Sequence, residues 1–115
     1  MTPLVSSQKP ITIFVRHDAE IDAFGYFEFL HERDPDVALR FLAAIDRTVE
    51  GLAQQPMKGR LRRFKGRDLR HIRSWRVEDF ENYLIFYRAT KERIEILRIK
   101  HGAMDFPIAL RGGEE

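Results

Sequence analysis

Apolar residues fall along this chain in two rhythms. Over residues 83–87 and 94–99 they run nearly unbroken and are mostly β-branched or aromatic, with the polar connection Arg88-Ala89-Thr90-Lys91-Glu92-Arg93 between them. That pattern predicts a β-hairpin. In the first run Tyr83, Ile85 and Tyr87 alternate with Leu84 and Phe86. A strand apolar on both faces belongs in the middle of a sheet. The second run changes character. Strict alternation puts Ile94 and Ile96 on one face with Arg98 and Lys100, and Leu97 and Ile99 on the other with His101. Such a strand starts in a core and ends either at working residues or in solvent.

The second rhythm is helical. Asp18 is the expected N-cap of a helix reaching about Glu32, with Ile21, Phe24, Phe27 and Leu30 every three residues and Tyr26 and Phe29 widening the stripe. Gly25 interrupts it, at a cost of about 1 kcal/mol against Ala. Asp34-Pro35 then gives a carboxylate cap followed by proline at the first helical position. The next helix runs to about Gln54, with a core stripe of Ala38, Leu42, Ile45, Val49 and Leu52 and with Phe41 beside it; Pro56 ends it. The short connection between the helices predicts an antiparallel hairpin. Residues 11–16 read as a short strand, 57–66 as an irregular basic loop and 69–77 as another strand, with 78–82 turning into the central one. Beyond Gly102, Pro107 blocks a long helix, and a short turn or helical scrap is expected to pack Phe106 and Leu110 on the sheet. The order predicts one α+β domain over 1–115: an N-terminal strand, an antiparallel helical hairpin and three consecutive strands forming an antiparallel sheet. Residues 1–10 and 111–115 are expected to be flexible.

Composition narrows the class. The chain has no cysteine, which excludes disulfides and thiolate metal sites. The polar start carries no signal-peptide pattern and no run reaches membrane-span length, so a cytoplasmic protein is expected. The net charge of +2 conceals a strong local imbalance: residues 58–76 hold nine Lys/Arg and one Asp. Positive charge at that density attracts nucleic-acid phosphates or an acidic protein segment, and a solvated loop has the same composition.

Sequence motifs for metalloprotease, phosphate-loop or nucleophile-elbow chemistry are missing. The four histidines, His17, His31, His71 and His101, lie far apart in sequence and do not suggest a metal site. No cofactor is indicated. Metal-free RNA cleavage needs a base, a phosphate-holding cation and an acid. Arg62, Arg63, Lys65, Arg70 and Arg73 could supply cations, His71 or His101 the proton transfer, and Trp75, Tyr83, Tyr87 or Phe106 base stacking. Core packing is the favoured reading of Trp75 and the tyrosines, and a strand-closing hydrogen bond that of His101.

The stretches 19–56, 69–89 and 94–107 together resemble the ParE/RelE superfamily of toxins from type II toxin–antitoxin modules, closer to the ParE branch of plasmid-stabilisation proteins. The acid-Pro helix start, the strand Asn82-Tyr83-Leu84-Ile85-Phe86-Tyr87-Arg88 and the ending Ile96-Leu97-Arg98 with His101-Gly102 occur in the family's order. The resemblance implies the strand-helix-helix-three-strand fold and an antitoxin whose C-terminal segment wraps the toxin. ParE-like members are associated with poisoning DNA gyrase, and RelE-like members with cutting mRNA on the ribosome. The expectation is a ParE-like toxin that binds gyrase and is not itself an enzyme. Arg62, Arg63, Lys65, Arg70, Arg73, Trp75 and Lys100 are then the antitoxin- or target-binding residues. The alternative is a ribosome-dependent endoribonuclease using His101, Arg98 and Arg73. The chain has no tyrosine after Tyr87 to match the one that RelE-type nucleases carry near their C-terminus.

Overall fold

The computed structural model describes residues 11–102. The elements follow as β1 (Thr12–Val15), α1 (His17–Arg33), α2 (Pro35–Gln54), β2 (Arg60–Leu61), β3 (Arg73–Val77), β4 (Phe80–Ala89) and β5 (Arg93–His101), with short 3-10 turns at Pro56–Lys58 and Arg67–Leu69. The strands form a single sheet in the order β1-β5-β4-β3-β2. β1 runs parallel to β5, and every other pairing is antiparallel. The expected α+β architecture is present. The two-residue strand β2 emerges where an irregular loop was expected, and the third strand starts at Arg73 rather than Leu69. The expectations for residues 1–10 and 111–115, and for Phe106 and Leu110, lie outside the described residues.

The α2 helix forms as its sequence dictates. The Asp34 carboxylate accepts hydrogen bonds from the Asp36 and Val37 amides, and Pro35 opens the first turn. Ala38, Phe41, Ala44, Ile45, Val49 and Leu52 are buried, whereas Leu42, expected in the core stripe, is 36% exposed at its edge. The α1 helix departs from expectation. Its N-cap is Arg16, with no side-chain cap, and Asp18 lies inside the first turn. The side it turns to the core is Ala19, Ala23, Tyr26 and Leu30, a four-three-four stripe. Ile21 and Phe24, half of the expected stripe, are 54% and 60% exposed. A helix apolar on two faces gives two competing readings, and the smaller residues here fit the closer approach to the sheet.

The central strand β4 is covered on both sides, as its sequence requires. Tyr83, Ile85 and Tyr87 belong to the helix-side core. Phe86 faces the other way into a smaller cluster with Ile72, flanked by Phe64, Leu69, Leu84 and Leu97. The second cover is therefore the basic segment itself, folded over the outer face of the sheet.

Between β4 and β5 the register slips: Tyr87 pairs with Ile96 but Phe86 with Arg98, leaving Leu97 as a bulge. The extra residue inverts the alternation. Ile94, Ile96 and Ile99 all enter the core. Arg98 and Lys100 thus share the outer face with their partners Phe86 and Leu84, and His101 joins Tyr83 on the helix side. Strict alternation had placed Ile96 with Arg98, and the bulge corrects it.

Two positions fix the loops. Tyr87, fully buried, donates its hydroxyl proton to the Pro56 carbonyl at 2.7 Å and accepts from the Gly59 amide at 2.9 Å. Burial pushes this phenol above its ordinary range. A β-carbon at Gly59 would collide with the Tyr87 ring, so only glycine allows this approach. No helix among the described residues is long and apolar enough to cross a membrane.

Candidate functional site

The basic segment leaves a cleft on the outer face of the sheet. It is lined by Arg67, Asp68, Arg70, His71 and Ile72 of that segment and by Arg16, Asp18, Arg88 and Arg98, five arginines against two aspartates, with Phe86, Leu69 and Leu97 as its apolar part; its volume is about 670 Å³. His71 sits in the left-handed region (φ 66°) at the bend that turns the segment back into β3. The wall is held by Arg88, which donates to the Asp68 carbonyl at 2.6 Å and the Arg70 carbonyl at 3.1 Å. These are peptide oxygens, so the guanidinium charge is not neutralised by them.

Ion pairing divides the cations sharply. Among the described residues, Arg60, Arg63, Lys65, Arg67 and Arg70 make no ion pair with a carboxylate, and Arg16, Arg88 and Arg93 share the single carboxylate of Glu95. Arg62 donates to Ser74 Oγ at 2.8 Å and lies near the Phe86 ring; burial lowers its pKa from the usual guanidinium value. An acidic, partly apolar ligand would meet complementary charge and an apolar floor here.

Arg98 and Lys100 belong to a different arrangement. Among the described residues, the outer edge of β5 beyond its pairing with Val15 has no neighbouring strand, and α1 runs beside it. Asp22 accepts from the Ile99 amide at 3.0 Å, and the Tyr26 hydroxyl accepts from the His101 amide at 2.9 Å. Two side chains one helical turn apart thus occupy the amides that an added strand would use. Asp22 also takes two hydrogen bonds from Arg98, at 2.9 and 3.1 Å, and one from Lys100 at 3.1 Å. The hydrogen bond to Asp22 raises the Arg98 pKa above its ordinary value.

The residues singled out from sequence are therefore distributed as follows. Arg70 and Arg98 reach the cleft, Arg62 lies on the same face, and Arg63 and Lys65 are exposed on the covering segment. Arg73 turns to the helix side and donates to the Met57 and Gly59 carbonyls. Trp75 is half-buried against the helix-side core with Lys58 and Arg76 near its ring, and Lys100 is tied to Asp22. His101, Arg98 and Arg73 do not converge: Arg98 is on the outer face and the other two are on the helix side, several residue pairs apart along the sheet. Arg16, Arg67 and Arg88 were not singled out. Arg88 had a signal, because it stands two residues beyond Phe86 and so shares its face. Arg16 had none, since only the parallel pairing of β1 with β5 brings it to Glu95.

The family model described as ParE toxin of type II toxin-antitoxin system, parDE, matches residues 13–106. The chain belongs to the ParE toxin family. A curated relative from Sinorhizobium fredii (strain NBRC 101917 / NGR234), named "Putative toxin Y4kP", is 32% identical over 104 residues, covering 90% of this chain and 99% of the relative. Among solved structures, one titled as the chromosomal ParDE TA system from P. aeruginosa superposes with a TM-score of 0.65 at 20% identity, covering 80% of this chain and 96% of that one. A chain from the RelBE2 toxin-antitoxin complex of Mycobacterium tuberculosis gives 0.53 at 23% identity, covering 81% and 99%. At these identities the two structures speak to the fold. This ParE-family toxin shares its architecture with both branches.

Proposed function

We propose that this toxin is neutralised by a companion antitoxin whose acidic, amphipathic segment enters the outer-face cleft, and that the free toxin acts by binding DNA gyrase. The observation that carries the first half is that Arg67 and Arg70 on the cleft wall make no ion pair with a described carboxylate, while Arg16 and Arg88 opposite them share the single carboxylate of Glu95, above an apolar floor. Such a surface suits an acidic peptide with apolar side chains. Family membership supports the second half. The separation of His101, Arg98 and Arg73 weighs against a nuclease centre built from those three, because a base, an acid and a phosphate-holding cation must meet at one phosphate.

Two assays test the reading. Purified toxin added to a gyrase supercoiling reaction is expected to trap cleaved DNA. Primer extension on mRNA after induction is expected to show no codon-positioned cuts. Cuts in translated mRNA with gyrase unaffected would replace this reading with a ribosome-dependent ribonuclease. In parallel, charge reversal at Arg67 and Arg70 is expected to weaken antitoxin binding by about tenfold or more, as for truncation of charge pairs at other interfaces.

A further inference from the structure

The two ends of the sheet carry opposite charge, and both expose apolar side chains. At the β1 end the helical hairpin leaves a groove of about 540 Å³, with β1 and β5 as its floor and with Ala19 and Ala23 of α1 facing Leu42 and Ile45 of α2. The two alanines leave space that larger side chains would fill. Val15 and Leu42, at its mouth, are 38% and 36% exposed. The charged residues lining the groove are all acidic: Glu20 on α1, and Asp46 and Glu50 on α2. Leu42, Asp46 and Glu50 follow one another at four-residue steps, so they share one side of α2. Asp46 and Glu50 make no ion pair among the described residues, and Glu20 meets only His17, at 3.7 Å. The surroundings have the same sign, since residues 17–55 hold nine Asp/Glu and three Lys/Arg.

At the β2 end the charge reverses. Met57, Lys58, Arg60 and Leu61 lie on β2 and the turn before it. Met57 is 67% and Leu61 43% exposed. Lys58 and Arg60 are exposed and make no ion pair with a described carboxylate. Lys58 rests over the Trp75 ring at 4.9 Å, a contact that leaves its charge in place. None of these four residues lines the outer-face cleft. A basic segment with two exposed apolar side chains thus has the complementary chemistry of the acidic, apolar groove. The strand order β1-β5-β4-β3-β2 sets the two surfaces at opposite ends of the sheet, so a chain cannot bring its own segment to its own groove.

We propose that the groove receives the Met57–Leu61 segment of a second copy of this chain, with Met57 and Leu61 on its apolar floor and Lys58 and Arg60 facing Glu20, Asp46 and Glu50. An acidic segment of the kind that suits the outer-face cleft would be repelled by this rim, so charge selects a basic occupant. The contact joins two different surfaces. Each added copy presents a fresh groove, and growth is open-ended rather than closing at a dimer. The proposal does not rest on the antitoxin or gyrase reading.

The test uses the full chain without antitoxin. In sedimentation velocity at low salt, its weight-average mass is expected to rise steadily between about 1 and 200 μM, the range of a weak interface. Raising the salt to about 0.5 M is expected to return it toward the monomer, because exposed charges are screened. Two charge-reversed variants give the decisive result. Asp46→Lys with Glu50→Lys makes the rim net basic, and Lys58→Glu with Arg60→Glu makes the segment acidic. Each variant alone is expected to stay monomeric at about 200 μM, because its groove and its segment then carry the same sign. Mixed in equal amounts, they are expected to associate again, since the basic groove of one fits the acidic segment of the other. A variant that had merely lost its fold could not give that recovery. A wild type that stays monomeric would overturn the proposal. So would variants that associate as the wild type does, a mixture that stays monomeric, or growth that stops at a dimer.

Discussion

Two groups of cations on the outer face of the sheet are alike in side-chain type and opposite in what holds them. Arg98 and Lys100, at the end of β5, both bind Asp22, whose side chain is 8% exposed and which also accepts from the Ile99 amide. Arg63, Lys65, Arg67 and Arg70, on the segment covering Phe86, make no ion pair with any described carboxylate. The difference follows from neighbours. A helix packed along β5 supplies an acid at the strand edge, whereas residues 58–76 contain a single Asp. The first group is fastened into the fold, and the second leaves its charge available to a partner. A cation is informative about binding only once the fold shows which carboxylates it can reach.

Removing the common acceptor is the strongest way to break this contrast. Asp22→Ala leaves a half-buried guanidinium, a largely buried ammonium and an edge amide without their acceptor. Loss of one partner from such a cluster is expected to cost about 3–5 kcal/mol in urea unfolding. Asp22→Asn, which keeps a carbonyl oxygen, is expected to lose less. A cost under about 1 kcal/mol for the alanine variant would put the β5 cations in the exposed class with the others.

The Tyr87 hydroxyl tests whether the covering segment is anchored from the helix side. Tyr87→Phe removes one hydrogen bond to Pro56 and one from Gly59, with an expected cost of about 1–3 kcal/mol. The pH dependence has a definite sign. Burial raises the folded-state pKa of this phenol, so its contribution is fully present below the unfolded value of about 10 and is lost as pH rises through the folded value. Wild-type stability is expected to fall more steeply than that of Tyr87→Phe in alkaline urea titrations. Parallel curves would remove the phenol from the account.

How much of this was legible in the sequence depends on whether the controlling contact is local. The α2 helix was legible to its first residue, because Asp34 and Pro35 act within one turn. Asp34→Ala is expected to cost about 1 kcal/mol, measurable by thermal unfolding. The central strand was legible because apolar residues on both faces require two covers, although nothing local said that the second cover is the basic segment. The end of β5 was not legible. A bulge at Leu97 inverts the alternation, and the pairing that makes it lies on another strand. The buried side of α1 was misread for a related reason: Ile21 and Phe24 outweigh Ala19 and Ala23 in any hydropathy pattern, but the smaller pair fits against the sheet. For the candidate site, the concentration of positive charge was visible at once. Its division into fastened and available cations was not, since Asp22 lies 76 residues from Arg98 in the chain.

The smallest expected effect on stability sharpens the comparison from the other side. Arg63→Glu with Lys65→Glu changes four units of charge on exposed side chains that make no ion pair in the described fold. Stability is expected to move by less than about 0.5 kcal/mol, as for surface substitutions away from special features. Antitoxin association is expected to slow by about tenfold at low salt, with most of the difference disappearing at high salt, because exposed charges act through a field that salt screens. If the reversal instead destabilised the protein by more than about 1 kcal/mol, these cations would be structural like Arg98 and Lys100. If stability held but association were unchanged at every salt concentration, the available charge would serve something other than the antitoxin. The paired outcome, an undisturbed fold and a salt-sensitive loss of association, is the one that separates the two groups.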